Sequence, residues 1–299
     1  MERLFPTDAE LGGILVGADS ISWRITSDTR LYFALLYPLL LQVAHPTVGA
    51  GVGDFSDFEQ SPWDRLLRTV DYVCLLVYGG RDAVAAGRRL RALHGRFHGV
   101  RDDGVPYRAL EPKAYAWVHA TLLDTYVRAH ARFGRPLRDG EVQRFYREYL
   151  ALGRLIGVRE RDLPATWAEF RTYFADTVEH ELMHTPAVDQ VVRTVRNLGP
   201  PPVDFPPVLW RAVRLPAQRA LWLGGVGLIE PRLRRRLGLR WGPVEDTQLR
   251  ALGVVSRSLT PVMPASLRVT GPAQLRWRRE AIARGPLGEG DRPSAGHAA

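Results

Sequence analysis

The sequence predicts an all-α fold. Three observations carry that reading. Apolar residues recur at helical spacing along most of the chain, helix-starting and helix-stopping residues bracket those runs, and the alternation of half-buried strands is hard to find. Hydrophobic residues make up 45% of the 299, ample material for a packed core.

The first helix is expected from about Asp28 to Gln42, after the capping residues Thr26, Ser27 and Asp28. Its apolar run, Leu31 to Ala44, falls short of the ~20 residues a bilayer span needs, so it reads as a buried helix. His45 and Pro46 close it. Gly49, Gly51 and Gly53 then read as a glycine-rich turn, with no preceding strand to make it a phosphate loop. A second helix starts at Pro62, with Ser61 placed to cap and Asp64 completing a capping-box-like pattern, and runs to Tyr78 before Gly79-Gly80. A third covers about Arg81 to His98, ended by Gly99. A polar loop follows, then long helices over Pro112 to Phe133, Asp139 to Ile156 and Pro164 to Met183.

The proline-rich stretch at 198–207 is the best sub-boundary. Beyond it, shorter amphipathic helices are expected over Leu209 to Leu223, Pro231 to Leu237 and Asp246 to Ser258. Residues 1–284 then form a single helical domain and 285–299 a polar, disordered tail.

The net charge of +9 invites a nucleic-acid reading, but the distribution argues against one. Lys113 is the only lysine, the arginines are scattered and often adjoin acids, and the run from Arg232 to Arg240 has no alternating aromatics to stack bases. The single cysteine, Cys74, excludes an intramolecular disulfide and a multi-cysteine metal site. Residues 1–8 lack the apolar core of a signal peptide, which points to a cytoplasmic protein with no membrane span.

Several residues can carry chemistry. Arg65, Arg68, Thr69 and Tyr72 share one face of the second helix, beside an apolar stripe of Leu66, Val70, Val73 and Val77. Such a face can bind an anion or polarise a bound oxygen species, or it can be a solvent face with snorkelling arginines. On the next helix, Ala83, Ala86, Leu90, Leu93 and Phe97 form the apolar stripe and His94 lies at its edge. An imidazole so placed can ligate haem iron, ligate zinc together with His98, or simply be structural. His45 at the end of the first helix can act as a C-terminal cation or reach into a pocket. His119, beside Tyr115, Val118 and Leu122, is equally open. His180-Glu181-Leu182-Met183-His184 matches the zinc-hydrolase pattern H-E-x-x-H, although Thr185-Pro186 follows at once and Asp189, Asp204 and Glu230 lack a recognisable third-ligand setting.

The stretches His45-Pro46-Thr47-Val48-Gly49-Ala50-Gly51-Val52, Ser61-Pro62-Trp63-Asp64-Arg65-Leu66-Leu67-Arg68-Thr69, Arg91-Ala92-Leu93-His94-Gly95-Arg96-Phe97 and Trp117-Val118-His119-Ala120-Thr121-Leu122 resemble the MpaB-like oxygenase family, which includes the catalytic domain of the rubber oxygenases. The resemblance runs in order from about Leu31 to Trp241. It implies a globin-like helical bundle with additional C-terminal helices, holding haem b. By carry-over His94 is the axial iron ligand, with His119 as runner-up. Arg65 and Thr69 match the family's distal Arg-x-x-Lys-Thr pattern, and Arg68 stands where it has lysine. No equivalent of the family's glutamate base is evident; His45, Asp54 and Asp57 are the nearby alternatives.

The resulting expectation is a haem-dependent oxygenase or peroxidase-like enzyme. It would use dioxygen or peroxide and an electron donor on a small apolar or aromatic metabolite, with its oligomeric state open. The alternatives are a zinc hydrolase built on His180, Glu181 and His184, and a non-catalytic protein that binds a ligand or partner through its C-terminal amphipathic helices.

Overall fold

The computed structural model describes residues 17, 19–201, 206–264 and 268–269. The expected tail at 285–299 and residues 202–205 of the proline-rich stretch lie outside them. Twelve α-helices account for most of the described chain: α1 (Ile21–Thr26), α2 (Leu36–Ala44), α3 (Pro46–Phe55), α4 (Pro62–Tyr78), α5 (Asp82–His94), α6 (Pro112–Phe133), α7 (Asp139–Ile156), α8 (Trp167–His180), α9 (Pro186–Arg196), α10 (Pro207–Val226), α11 (Pro231–Arg236) and α12 (Pro243–Leu259). Short 3-10 turns cover Thr29–Ala34, Glu160–Asp162 and Thr260–Val262. The fold is all-α, apart from one antiparallel hairpin of β1 (His98–Val100) and β2 (Pro106–Arg108).

Helix α6 is the axle. Pro112 fits its first position, where an amide proton is dispensable, and Gly134 follows its last residue. Buried side chains leave it on nearly every side, among them Trp117, Leu123, Tyr126 and Phe133. Its polar groups are satisfied across the contact with α2: Trp117 Nε1 donates to the Leu41 carbonyl at 3.1 Å, and Gln42 Nε2 donates to Thr121 Oγ1 at 2.9 Å. Helices α5 and α7 cross so closely that a Cβ on Gly87 would sit 2.0 Å from the Leu155 carbonyl oxygen. That crossing fixes the α4–α5 pair against the core.

Four local expectations need correction. Gly49, Gly51 and Gly53 do not form a turn but lie within α3, started by Pro46. Gly49 serves close packing instead, since a Cβ there would approach the Val43 carbonyl to 2.5 Å. Helix α5 stops at His94, and His98 lies in β1 because the following chain turns back to pair with residues 106–108. Ser61 makes no side-chain cap. No helix is expected from the sequence over residues 186–196, where Pro186 begins α9 with Thr185 before it.

No single described helix is long and apolar enough to cross a membrane. The Thr29–Ala44 and Pro46–Phe55 segments meet at a bend of 103°, and His45 sits at that bend.

Candidate functional site

His94 occupies the last turn of α5. Its Nδ1 lies 2.8 Å from the Leu90 carbonyl oxygen, one turn back, so Nδ1 carries the proton and Nε2 the lone pair. The rings of Phe97 and Tyr115 meet the imidazole edge-on, each with centroids 5.8 Å away. Burial pushes the imidazole pKa down; the Leu90 bond opposes this and the nearby Arg65 charge reinforces it. The result is a neutral imidazole with a fixed tautomer. Leu93, expected in the buried stripe, is 43% exposed instead.

Helix α4 packs against α5. Arg65 Nη1 donates to Thr69 Oγ1 at 2.6 Å, and that hydroxyl donates to the Arg65 carbonyl at 3.0 Å. Among the described residues no carboxylate lies within ion-pair distance of Arg65. Burial lowers its pKa, as does Arg68, against the pull of Asp57. Arg68 does not join this pair. It bonds Asp64 and lies 3.7 Å from Asp57, on the exposed side of the helix. Leu66 and Val73, in the stripe beside the face that Arg65 and Thr69 share, are only half-buried. Cys74 is buried, which pushes its thiol up to about 11 and keeps it protonated.

His45 is buried at the α2–α3 bend. Its Nε2 lies 3.4 Å from Glu181 Oε2, while its Nδ1 is enclosed with no hydrogen-bond partner among the described residues. The surrounding backbone holds this geometry. Met183 N–H donates to the Ala44 carbonyl at 3.0 Å, and the Thr185 hydroxyl donates to the Val43 carbonyl at 2.7 Å. Arg236 donates to the carbonyls of Val178, Glu179 and Leu182 at the end of α8. Burial lowers the His45 pKa, although Glu181 and then Glu111 pull the other way.

The H-E-x-x-H match is thereby dismantled. Helix α8 ends at His180, so the two histidines are not one helical turn apart. His180 Nδ1 faces Asp176 at 3.0 Å and His184 Nε2 faces Asp189 at 3.1 Å, both on the exposed surface. No group of three His, Cys, Asp or Glu side chains among the described residues is arranged to hold a metal ion.

His119 lies in the core. Its Nε2 is 2.9 Å from the Tyr149 carbonyl oxygen and its ring stacks on Tyr149 at 4.2 Å. Burial pushes its pKa down to about 4. That environment satisfies a structural histidine.

Immediately past His94, an open cleft of about 360 Å³ lies between the end of α5 and the hairpin, lined by Gly95, His98, Gly99, Pro106, Tyr107 and Arg108. The Tyr107 hydroxyl bonds Asp54 and ties the hairpin to α3, while Phe55 stacks on Phe97 at 4.7 Å. The Tyr107–Asp54 and Glu181–His45 contacts each join distant segments, and no spacing rule in the sequence gives either pairing.

A family model described as the catalytic domain of the ER-bound oxygenase mpaB/B'/rubber oxygenase matches residues 23–258. No curated protein and no solved structure matches the chain.

Proposed function

The chain belongs to the mpaB/rubber oxygenase catalytic-domain family, an oxygenase domain, and on that premise we propose that it works with haem b held by His94. The observation that carries the proposal is the neutral His94 imidazole, whose Nδ1 is committed to the Leu90 carbonyl beside the α4 face bearing Arg65 and Thr69. Haem ligands commonly have the second ring nitrogen anchored in this way, which sets the tautomer and the ring plane.

The residues present fit the group. Nε2 of His94 has a lone pair to give, Leu66 and Val73 offer half-buried apolar surface, and Arg65 is a cation without a carboxylate partner. Haem, when bound, supplies the activation of dioxygen or peroxide, with electrons from a separate donor where needed. Arg65 would offer its cation to negative charge at the site, including a carboxylate of the bound group, with Thr69 fixing its guanidinium. Arg68, paired with Asp64 and Asp57, still lowers the Arg65 pKa through its charge. His45, with an enclosed unpartnered Nδ1, is suited to hold a proton. A small apolar or aromatic metabolite suits the half-buried apolar side chains and the cleft beside Gly95. His119 is already satisfied in the core, which favours His94 as the ligand.

The test is an absorption spectrum of protein expressed with ample haem, beside His94→Ala and His119→Gln. A Soret band lost or shifted in His94→Ala and retained in His119→Gln is the expected result. No Soret band in the wild type after haem addition would overturn the proposal.

A further inference from the structure

The hairpin that follows α5 sets two basic side chains side by side. Ala109 N–H donates to the Phe97 carbonyl and Arg101 N–H to the Val105 carbonyl, each at 2.9 Å. With His98 in register with Arg108, that pattern makes them a close-set pair between two hydrogen-bonded ones, with Cα atoms about 4.5 Å apart. Alternation along the strands puts His98, Pro106 and Arg108 on one, exposed face. Gly99 and Tyr107 take the other, where the Tyr107 hydroxyl bonds Asp54 of α3. His98, Pro106 and Arg108 line the cleft of about 360 Å³ that opens beside Gly95.

Neither basic group has an acid to meet. Among the described residues no carboxylate lies within ion-pair distance of His98 or Arg108. Asp54 is committed to Tyr107, and Asp103 at the hairpin turn to Arg101. A guanidinium set directly opposite an imidazole gives neither a favourable cross-strand partner, whereas a carboxylate lying between them accepts from both. The cleft has the size of a small-molecule site, near the lower end of the ~300–1,000 Å³ range. Gly95 and Gly99 project no side chain into it, and Pro106 offers a flat apolar wall against which a ring can lie. One guanidinium beside one imidazole answers a single negative charge better than a phosphate dianion.

We propose that His98 and Arg108 bind the carboxylate of a small aromatic acid whose ring lies in the cleft along Gly95 and Pro106. This names the ligand class of the cleft and rests on the oxygenase reading only for that ligand's being a substrate. Binding itself needs no haem.

Calorimetric titration of the full chain with phenylacetate, before and after haem addition, tests it. Saturable binding is expected in both cases, and binding about ten-fold or more weaker for the neutral phenylacetamide. Arg108→Gln should weaken phenylacetate by about ten-fold or more and leave phenylacetamide unchanged. The thermal melt should not move, because the side chain is exposed. His98→Gln should weaken phenylacetate less, since the amide keeps a donor. No saturable phenylacetate binding overturns the proposal, as does equal affinity for the amide or tighter binding of inorganic phosphate. Phenylacetate binding unchanged in Arg108→Gln, with haem uptake weakened, assigns the pair to a carboxylate of the haem instead. Phenylacetate bound by a protein that takes up no haem supports this proposal and overturns the haem reading alone.

Discussion

The His45 imidazole meets the Glu181 carboxylate with Nε2 and Oε2 3.4 Å apart, joining the α2–α3 bend to the segment that follows α8. The glutamate that reads as a metalloprotease base in the sequence is instead the partner of a buried histidine. Its carboxylate raises the proton affinity of an imidazole that burial otherwise depresses. Glu181→Gln is therefore expected to move the His45 titration further down in pH. Imidazole NMR titration of the two proteins reads this directly. An unchanged His45 midpoint would mean that the carboxylate does not face the ring in solution.

Stability should fall in mild acid. His119 titrates at about 4 in the folded protein, against an ordinary value of 6.5. Between those values the unfolded chain binds a proton that the folded chain does not. The stability due to a neutral His119 is thus whole above the ordinary imidazole range and is lost as pH falls toward about 4. Linkage puts the full loss on the order of 3 kcal/mol. His45, His94 and His130 are lowered by burial too and act in the same direction. Urea unfolding between about pH 7 and about pH 5 measures it, and His119→Gln should flatten the dependence. A free energy of unfolding that is flat over this range would contradict it.

Two glycines should respond to alanine with opposite signs. Gly87→Ala drives a methyl into the Leu155 carbonyl at the α5–α7 crossing and is expected to cost ~3 kcal/mol. Gly140, exposed at the second position of α7, has nothing within 4 Å of a Cβ. Gly140→Ala should stabilise the protein by about 0.5–1 kcal/mol. Thermal melts of both variants decide. Equal behaviour of the two would show that the crossing is looser than its backbone distances.

Arg236→Met should loosen the junction that carries Glu181. The guanidinium satisfies three carbonyls at the end of α8, and methionine keeps the packing of the stem while removing the donors. A loss of ~2 kcal/mol is expected. Hydrogen exchange should quicken at Glu181 and Met183, whose amides bond the Thr177 and Ala44 carbonyls. Unchanged protection at these amides would show that Met183 and Thr185 hold the junction alone.

The sequence by itself determined the all-α class and the limits of its best-marked helices. Pro112 and Gly134 bracket α6, and Gly157, with φ at 89°, ends α7 in the left-handed conformation that glycine permits. These signals are local, since caps and periodicity act within one turn or one helix. The family motifs around Arg65, Thr69 and His94 were legible for a similar reason, each being a short continuous run. Tertiary structure alone decided which of those residues meet. It folded Gly49 to Gly53 into a helix, because Pro46 starts that helix and Gly49 lets it lie against the Val43 carbonyl. It parted Arg68 from Arg65 and Thr69, buried His119 against Tyr149, and broke H-E-x-x-H to bring Glu181 to His45. Such choices depend on which distant segments share a buried contact, and that is settled by the packing of the whole core rather than by residue spacing.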